Sequence, residues 1–298
     1  MERRSYGITL VTTAAIMWSS AGLFVRMLDF DVWTVLGWRS VFGGIVLGLI
    51  VLFDRNARPA GVTPPPVFLY PIAGLLSAIS MFGYIAALKL TTVANVLSIY
   101  ATTPFAAAGI AYLWSGEKLG RRTLIASAIA FLGVLVVAGF AARPQDLAGN
   151  GLSLLMTIAF STLLVMARRY PSLRMAPVNA IGSWLCALLC LPLMSHTMPT
   201  LPQLAILALF GSITSGIAYL LYTSGSRHIP SGEAGLIGTL DIVLGPLWVW
   251  LAFSENPGKP TIIGACLVLV AVFWYLLSGL RSPDPRHQLE LAPGDHDS

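Results

Sequence analysis

Asp241 is the one acidic residue that falls deep inside a long apolar run of this sequence. A charged group at the centre of a bilayer costs about 2.5–3.5 kcal/mol on insertion scales, so such a position is functional unless a partner explains it. Its carboxyl could bind a substrate ammonium or carry a proton in exchange for solute. The structural alternative is a protonated group, or one hydrogen-bonded to a neighbouring helix or to Arg39. Arg39 is the basic residue that falls within a run. It either touches a substrate carboxylate, snorkels to the interface or forms a structural pair.

Rings and hydroxyls recur at helical spacing around these charges. Ser77, Ser80, Met81 and Tyr84 share one face. Asn95, Ser98 and Thr102 share another, with Tyr100 beside them. Ser212, Ser215, Tyr219 and Tyr222 repeat the first pattern. Asn179, Gly182 and Ser183 form a further face, with Trp184 adjacent, and Trp18 precedes Ser19-Ser20. Trp18, Ser80, Tyr84, Ser98, Tyr100, Trp184, Tyr219, Tyr222 and Asp241 are therefore candidates to line a solute cavity. A wall of rings and hydroxyls suits an amphipathic solute with an apolar body and a small polar head. It offers no Lys or Arg cluster for a sugar phosphate or nucleotide. Interfacial belts also use aromatic rings, and that reading fits Trp33, Tyr70, Trp114 and Tyr275 better.

Enzyme chemistry lacks its residues here. There is no HExxH, no GxSxG and no intramembrane aspartate pair. Cys186, Cys190 and Cys266 all lie inside apolar runs, an odd set that gives no disulfide framework. Cys186 and Cys190 share a face without His or carboxylate neighbours, so they read as small apolar residues. No metal and no cofactor is expected.

The elements that must position these residues are membrane spans. Of 298 residues, 56% are hydrophobic and 10% charged, against about 25% charged in soluble domains. Mean hydropathy is +0.78. A span needs roughly 20 apolar residues. Ten runs qualify, at about 7–27, 33–53, 67–88, 93–114, 122–141, 149–168, 177–195, 203–225, 233–253 and 260–279. The first could pass for a leader peptide, but it ends in Arg26 and has a counterpart later in the chain. Basic residues crowd alternate loops. With the N-terminus inside, 13 fall on the cytoplasmic side and four (Arg26, Lys89, Arg143 and Lys259) outside. Lys and Arg hold loops in the cytoplasm, so both termini are expected there. The net charge of +5 thus reflects topology and not nucleic acid.

The plan of residues 74–139 recurs 138 positions later. Ser77, Tyr84, Glu117, Gly120, Thr123 and Ile125 fall on Ser215, Tyr222, Glu255, Gly258, Thr261 and Ile263. Each half holds five spans, so the second enters the membrane from the opposite side. The expected fold is all-α and polytopic: ten transmembrane helices as two inverted five-helix repeats, residues 1–142 and 143–280, with a disordered tail at 281–298. Halves related by an axis in the membrane plane are a transporter design. Helices 5 and 10 are almost wholly aliphatic and suit lipid or a partner subunit, so a homodimer is conceivable. Glycines at 44 and 48 suit close helix packing. Glu117 and Glu255 are expected to fix loops near Lys118 and Lys259.

Trp18-Ser19-Ser20, Arg39, Ala87-Leu88-Lys89-Leu90-Thr91 with Ala94-Asn95, and Pro104 with Glu117 resemble the EamA family of the drug/metabolite transporter superfamily. The likeness is strong over residues 8–139 and weaker over 150–278. It implies a multi-pass protein of the bacterial inner membrane that moves small organic solutes by alternating access. The chain looks most like exporters of aromatic and other apolar amino acids. Exporters of other metabolites or drugs, a channel and a membrane-embedded enzyme are the alternatives. Arg39, Pro104, Glu117, Pro246 and Glu255 are the gating or structural candidates. The halves have diverged: Ile242 matches Pro104, with proline at 246, and Glu233 matches Asn95.

Overall fold

The computed structural model describes residues 2–53, 65–116, 121–139, 144–195, 198–226, 228–229, 234, 237–238, 240–256 and 258–280. All regular structure among them is helical. The elements are α1 (Glu2–Ser19), α2 (Ala21–Met27), α3 (Val32–Phe53), α4 (Leu69–Leu90), α5 (Val93–Tyr100), α6 (Thr103–Ser115), α7 (Arg121–Gly139), α8 (Pro144–Arg169), α9 (Met175–Cys190), α10 (Leu201–Gly211), α11 (Ala218–Gly225), α12 (Leu240–Phe253) and α13 (Lys259–Leu280). A π turn, Ser212–Ile217, joins α10 to α11. End to end these make ten rods at the expected ten runs. Among the described residues seven helices are long and apolar enough to cross a membrane, and three shorter apolar ones lie at Leu124–Val136, Leu240–Phe253 and Lys259–Tyr275. The expectations for Glu117 and the 281–298 tail, and much of the stretch leading into α12, lie outside the described residues.

Local chemistry sets the helix ends. Asp31 starts α3, taking the Thr34 N–H at 3.0 Å and the Thr34 hydroxyl at 2.7 Å. Partial burial pushes its carboxyl up, but these bonds outweigh burial and hold it below the usual carboxylate range. The Thr92 hydroxyl caps α5, accepting from the Asn95 N–H at 3.2 Å. Thr200 and Gln203 start α10, with the Thr200 N–H donating to Gln203 Oε1 at 2.9 Å. Besides the rod that holds the π turn, three rods depart from a straight α-helix. The first is interrupted at Ser20, between α1 and α2. The fourth is interrupted at Ala101–Thr102, and Pro104 sits in the first turn of α6, where a missing N–H costs nothing. The run 93–114 is thus one span made of two helices. Pro246 instead lies inside α12, which removes the bond that the Ile242 carbonyl would otherwise accept.

Most hydroxyls in the bundle are committed to their own helix. Ser98 donates to the Ala94 carbonyl at 2.6 Å, Ser153 to Gly149 at 2.9 Å, Thr157 to Ser153 at 2.8 Å and Thr214 to Phe210 at 2.7 Å. Bonds of this kind let a hydroxyl sit in an apolar bundle without a partner on another helix. Ser161 is different: it donates to the Thr103 carbonyl at 3.2 Å, at the joint between α5 and α6.

The packing order is regular. α4 lies on α8, and α11 lies on α1. α4 also lies on α9, and the α10–α11 rod lies on α3. α6 meets α8, and α12 meets α1. Further main pairs are α3 with α9, α7 with α13, α5 with α8, α12 and α13, and α2 with α12. Small residues permit these approaches. A Cβ on Gly182 would come within 2.6 Å of Ser77 Oγ, and one on Gly133 within 2.7 Å of the Gly264 carbonyl. The expected Gly44–Gly48 contact is half present. Gly44 lies under the Trp184 indole, and nothing comes within 4 Å of a Cβ on Gly48. One core runs through the middle of the bundle, from Val25 and Leu36 through Ile85, Leu88 and Leu97 to Phe210 and Val249.

Candidate functional site

Six helical rods send polar or aromatic side chains to one region of the interior. Trp18 ends α1, and its indole N–H donates to the Thr214 carbonyl in the π turn at 2.9 Å. Its ring lies tilted against Tyr222 of α11, with centroids 5.1 Å apart. Tyr84 of α4 and Tyr100 of α5 are both within electrostatic range of Asp241, in the first turn of α12. Tyr100 is also within range of Tyr84 and Tyr222, and its ring faces Phe160 at 5.7 Å. Arg39 of α3 is within range of Tyr84. Asp241, Tyr84 and Tyr100 are each half-buried and keep accessible surface.

The other candidates lie elsewhere or are otherwise engaged. Ser98 is buried and bonded within its own helix. Trp184 is 48% exposed and lies over Gly44 on the outside of the bundle. Ser80 and Tyr219 are half-buried on α4 and α11. Ser77 donates to Asn179 Oδ1 of α9 at 3.0 Å. Ser215 sits against Gly43 of α3, where a Cβ would come within 2.9 Å of its hydroxyl. These two serines thus tie neighbouring helices, while the tyrosines one or two turns along the same helices face the interior. An apolar recess of about 230 Å³ between α3, α4 and α9, lined by Trp33, Leu36, Phe82, Cys186 and Cys190 among others, holds none of the candidate groups. Cys186 donates weakly to the Ala78 carbonyl at 3.4 Å.

Arg39 does not snorkel. It is 7% exposed. Its Nη2 donates to Thr214 Oγ1 at 3.3 Å, and its guanidinium carbon lies 4.8 Å from the centre of the Phe210 ring. No ion pair joins it to Asp241. Thr214 and Phe210 were invisible in the sequence, because nothing in an apolar run says which hydroxyl will bond a residue 175 positions away.

One end of the bundle is closed by a polar clasp. Arg26 Nε donates to Glu255 Oε2 at 2.6 Å, and its two outer nitrogens donate to the Leu88 and Thr91 carbonyls, the latter at 2.8 Å. Glu255 Oε1 accepts the first N–H of α5, from Val93, at 3.0 Å. That contact suits both the unsatisfied donors and the positive end of a helix start. Glu255 therefore holds Arg26 and α5, and not a loop at Lys259 as its sequence position suggests. Thr91 donates to Asp146 Oδ1 at 3.1 Å. Asn95 donates to Thr91 Oγ1 at 2.9 Å and accepts from Thr261 at 2.7 Å. Lys89 donates to the Leu28 carbonyl at 2.6 Å. Carboxylate, guanidinium and carbonyls thus join the ends of α2, α4, α5, α8, α12 and α13. The sequence shows charge at each of these turns but not the pairing, since Arg26 and Glu255 are 229 residues apart.

A polytopic all-helical bundle with broken helices, a closed end and a polar, aromatic interior is the form of a membrane transporter. The chain belongs to the EamA-like transporter family, which matches residues 5–139 and again residues 147–277. It is 27% identical to the biotin transporter of Escherichia coli strain K12 over 248 residues, 79% of this chain and 83% of that protein. It is 23% identical to the S-adenosylmethionine uptake transporter of Rickettsia prowazekii, covering 94% of each. It is also 23% identical to the uncharacterized transporter YetK of Bacillus subtilis, covering 89% of this chain and 85% of that one. A crystal structure that is 22% identical shares the fold with a TM-score of 0.62, covering 94% of this chain and all of that one.

Proposed function

We propose that this chain carries a small amphipathic solute across a bacterial inner membrane by alternating access, through the space bordered by Trp18, Tyr84, Tyr100, Tyr222 and Asp241. The observation that carries this reading is an intramembrane carboxyl that remains accessible among aromatic rings. The two halves, 1–142 and 143–280, are proposed to be inverted copies. In support, most of the main helix pairings either join counterparts or have a partner pairing with the halves exchanged, α5 with α13 being an exception. The contacts of Ser77 with Gly182 and of Ser215 with Gly43 correspond in the same way. Both termini are placed in the cytoplasm, which puts the polar clasp at the outer end. The exposed aliphatic faces of α7 and α13 suit lipid chains or a second copy.

The substrate reading is an aromatic or other apolar amino acid moving outward. Asp241 suits its ammonium and the rings suit its side chain. A second reading, uptake of a larger metabolite, is favoured by relatives named for biotin and for S-adenosylmethionine uptake. Counterflow in liposomes separates them. Vesicles loaded with unlabelled phenylalanine or leucine are expected to accumulate the labelled form saturably, with and without a pH gradient. If no neutral amino acid exchanges or competes while biotin or S-adenosylmethionine does, the amino-acid reading fails and the carrier stands. No saturable flux of any solute removes the carrier reading.

A further inference from the structure

One guanidinium inside the bundle lacks a counter-charge. Arg39 uses one of its five N–H donors on Thr214, and its Nε and Nη1 have no partner among the described residues. The neighbouring Ser40 hydroxyl is likewise unpartnered and buried. Arg39 is met by Tyr84 from α4, Cys186 from α9, Phe210 from α10 and Thr214 from the π turn. None of these is a carboxylate. A buried cation with most of its donors unsatisfied is costly, and a native fold keeps one for a reason. A structural role would require a partner, and the fold supplies only a hydroxyl at 3.3 Å and a ring.

Arg39 shares neighbours with the groups of the proposed solute space. Thr214 accepts from Trp18 through its carbonyl and from Arg39 through its hydroxyl. Tyr84 is a common neighbour of Arg39 and Asp241. We infer that Arg39 is the docking point for a carboxylate carried by the transported solute, a refinement that rests on the carrier reading above. A guanidinium grips a planar carboxylate with two parallel bonds, which a lysine cannot match. The solute class is then an organic acid or zwitterion with an apolar or heteroaromatic body. Amines and esters that lack the free carboxylate are excluded.

The test compares matched pairs on the purified full chain. Phenylalanine is set against phenylalaninamide, and biotin against biotinamide, with thermal unfolding in detergent as the first readout. At least one acid is expected to stabilise the protein with a half-saturating concentration about tenfold or more below that of its amide. Arg39→Lys is expected to narrow that ratio and Arg39→Gln to abolish it. If Arg39→Gln is not recovered from the membrane, the acid–amide ratio on the unaltered protein decides alone. Equal binding of acid and amide overturns the assignment. So do discrimination that survives Arg39→Gln, stabilisation by chloride or inorganic phosphate in place of the acids, and no stabilisation by either acid. Counterflow distinguishes the two levels of failure. Amides exchanging as fast as acids overturn the role of Arg39 and leave the carrier, whereas absence of all saturable flux removes both.

Discussion

Replacing Glu255 by Gln probes the clasp without changing its shape. The carboxylate accepts two bonds, from Arg26 Nε at 2.6 Å and from the Val93 N–H at 3.0 Å. Hydrogen bonds to charged groups contribute about 1.5–3 kcal/mol each when well shielded. The Arg26 and Glu255 side chains are 22% and 20% exposed, so solvent weakens the pair, and the amide keeps part of each bond. A net loss of about 2 kcal/mol follows, which shifts the balance between closed and open at this end roughly thirtyfold. Arg26 keeps its bonds to the Leu88 and Thr91 carbonyls, so the fold itself is expected to survive. The assay is labelling by a membrane-impermeant maleimide. Cys186, Cys190 and Cys266 are first replaced by Ser or Ala, and Ser98→Cys is then introduced about 7 Å below Val93 along α5. Labelling in the Glu255→Gln background is expected to be faster by about tenfold or more. Identical labelling with and without Glu255 would show that the clasp does not hold this end shut.

Asp241→Asn is expected to keep normal membrane levels and lose at least about tenfold in exchange rate, as suits a functional intramembrane carboxyl. Normal flux at every pH would reject a charged role, and loss of the protein would favour a structural one. Tyr222→Ala removes the ring that packs on Trp18 and is expected to change solute preference in competition assays more than protein amount. Asp31→Ala removes the cap of α3 and is expected to lower the unfolding temperature at neutral pH, with a cost of at most about 1 kcal/mol. Because the folded-state carboxyl lies below its ordinary value, its contribution is present above the ordinary carboxylate range and lost as pH falls through the folded value. The difference between Asp31→Ala and the unaltered protein should therefore vanish in acid, which pH-dependent melting curves check. Reporter fusions after Ser282 are expected to be active as cytoplasmic reporters, and a periplasmic signal would break the inverted arrangement.

Helix type and the places of the apolar helices were legible, because apolar runs of bilayer length leave the backbone little alternative to a helix; seven of the ten expected spans reach spanning length among the described residues. Periodicity also brought Tyr84 and Tyr222 onto interior faces. Ser77 and Ser215, on the same helices, instead meet neighbouring helices at Asn179 and Gly43. Periodicity reports a stripe, and the stripe is wide enough to touch both a neighbouring helix and an inner space. Arg39 read as a residue near a span end that could reach water. Its burial depends on Phe210 and Thr214, which only tertiary packing brings to it. The interruption at Ala101–Thr102 had a signal in Pro104, whereas the π turn at Ser212–Ile217 had none.

The self-bonded hydroxyls bear on how easily this bundle can rearrange. Ser98, Ser153, Thr157 and Thr214 each satisfy their donor on a carbonyl four residues back, so these bonds travel with the helix when it moves. Among the described residues, side-chain bonds between rods in the membrane interior are fewer, such as Ser77 to Asn179, Trp18 to Thr214, Trp248 to Ser19, Ser161 to Thr103 and Arg39 to Thr214. The helices thus present polar groups without being stitched together by them. Sliding one rod along another breaks few bonds, and the resistance to motion is concentrated at the ends. The interior behaves as a bearing with little friction, and the clasp around Arg26 acts as its brake.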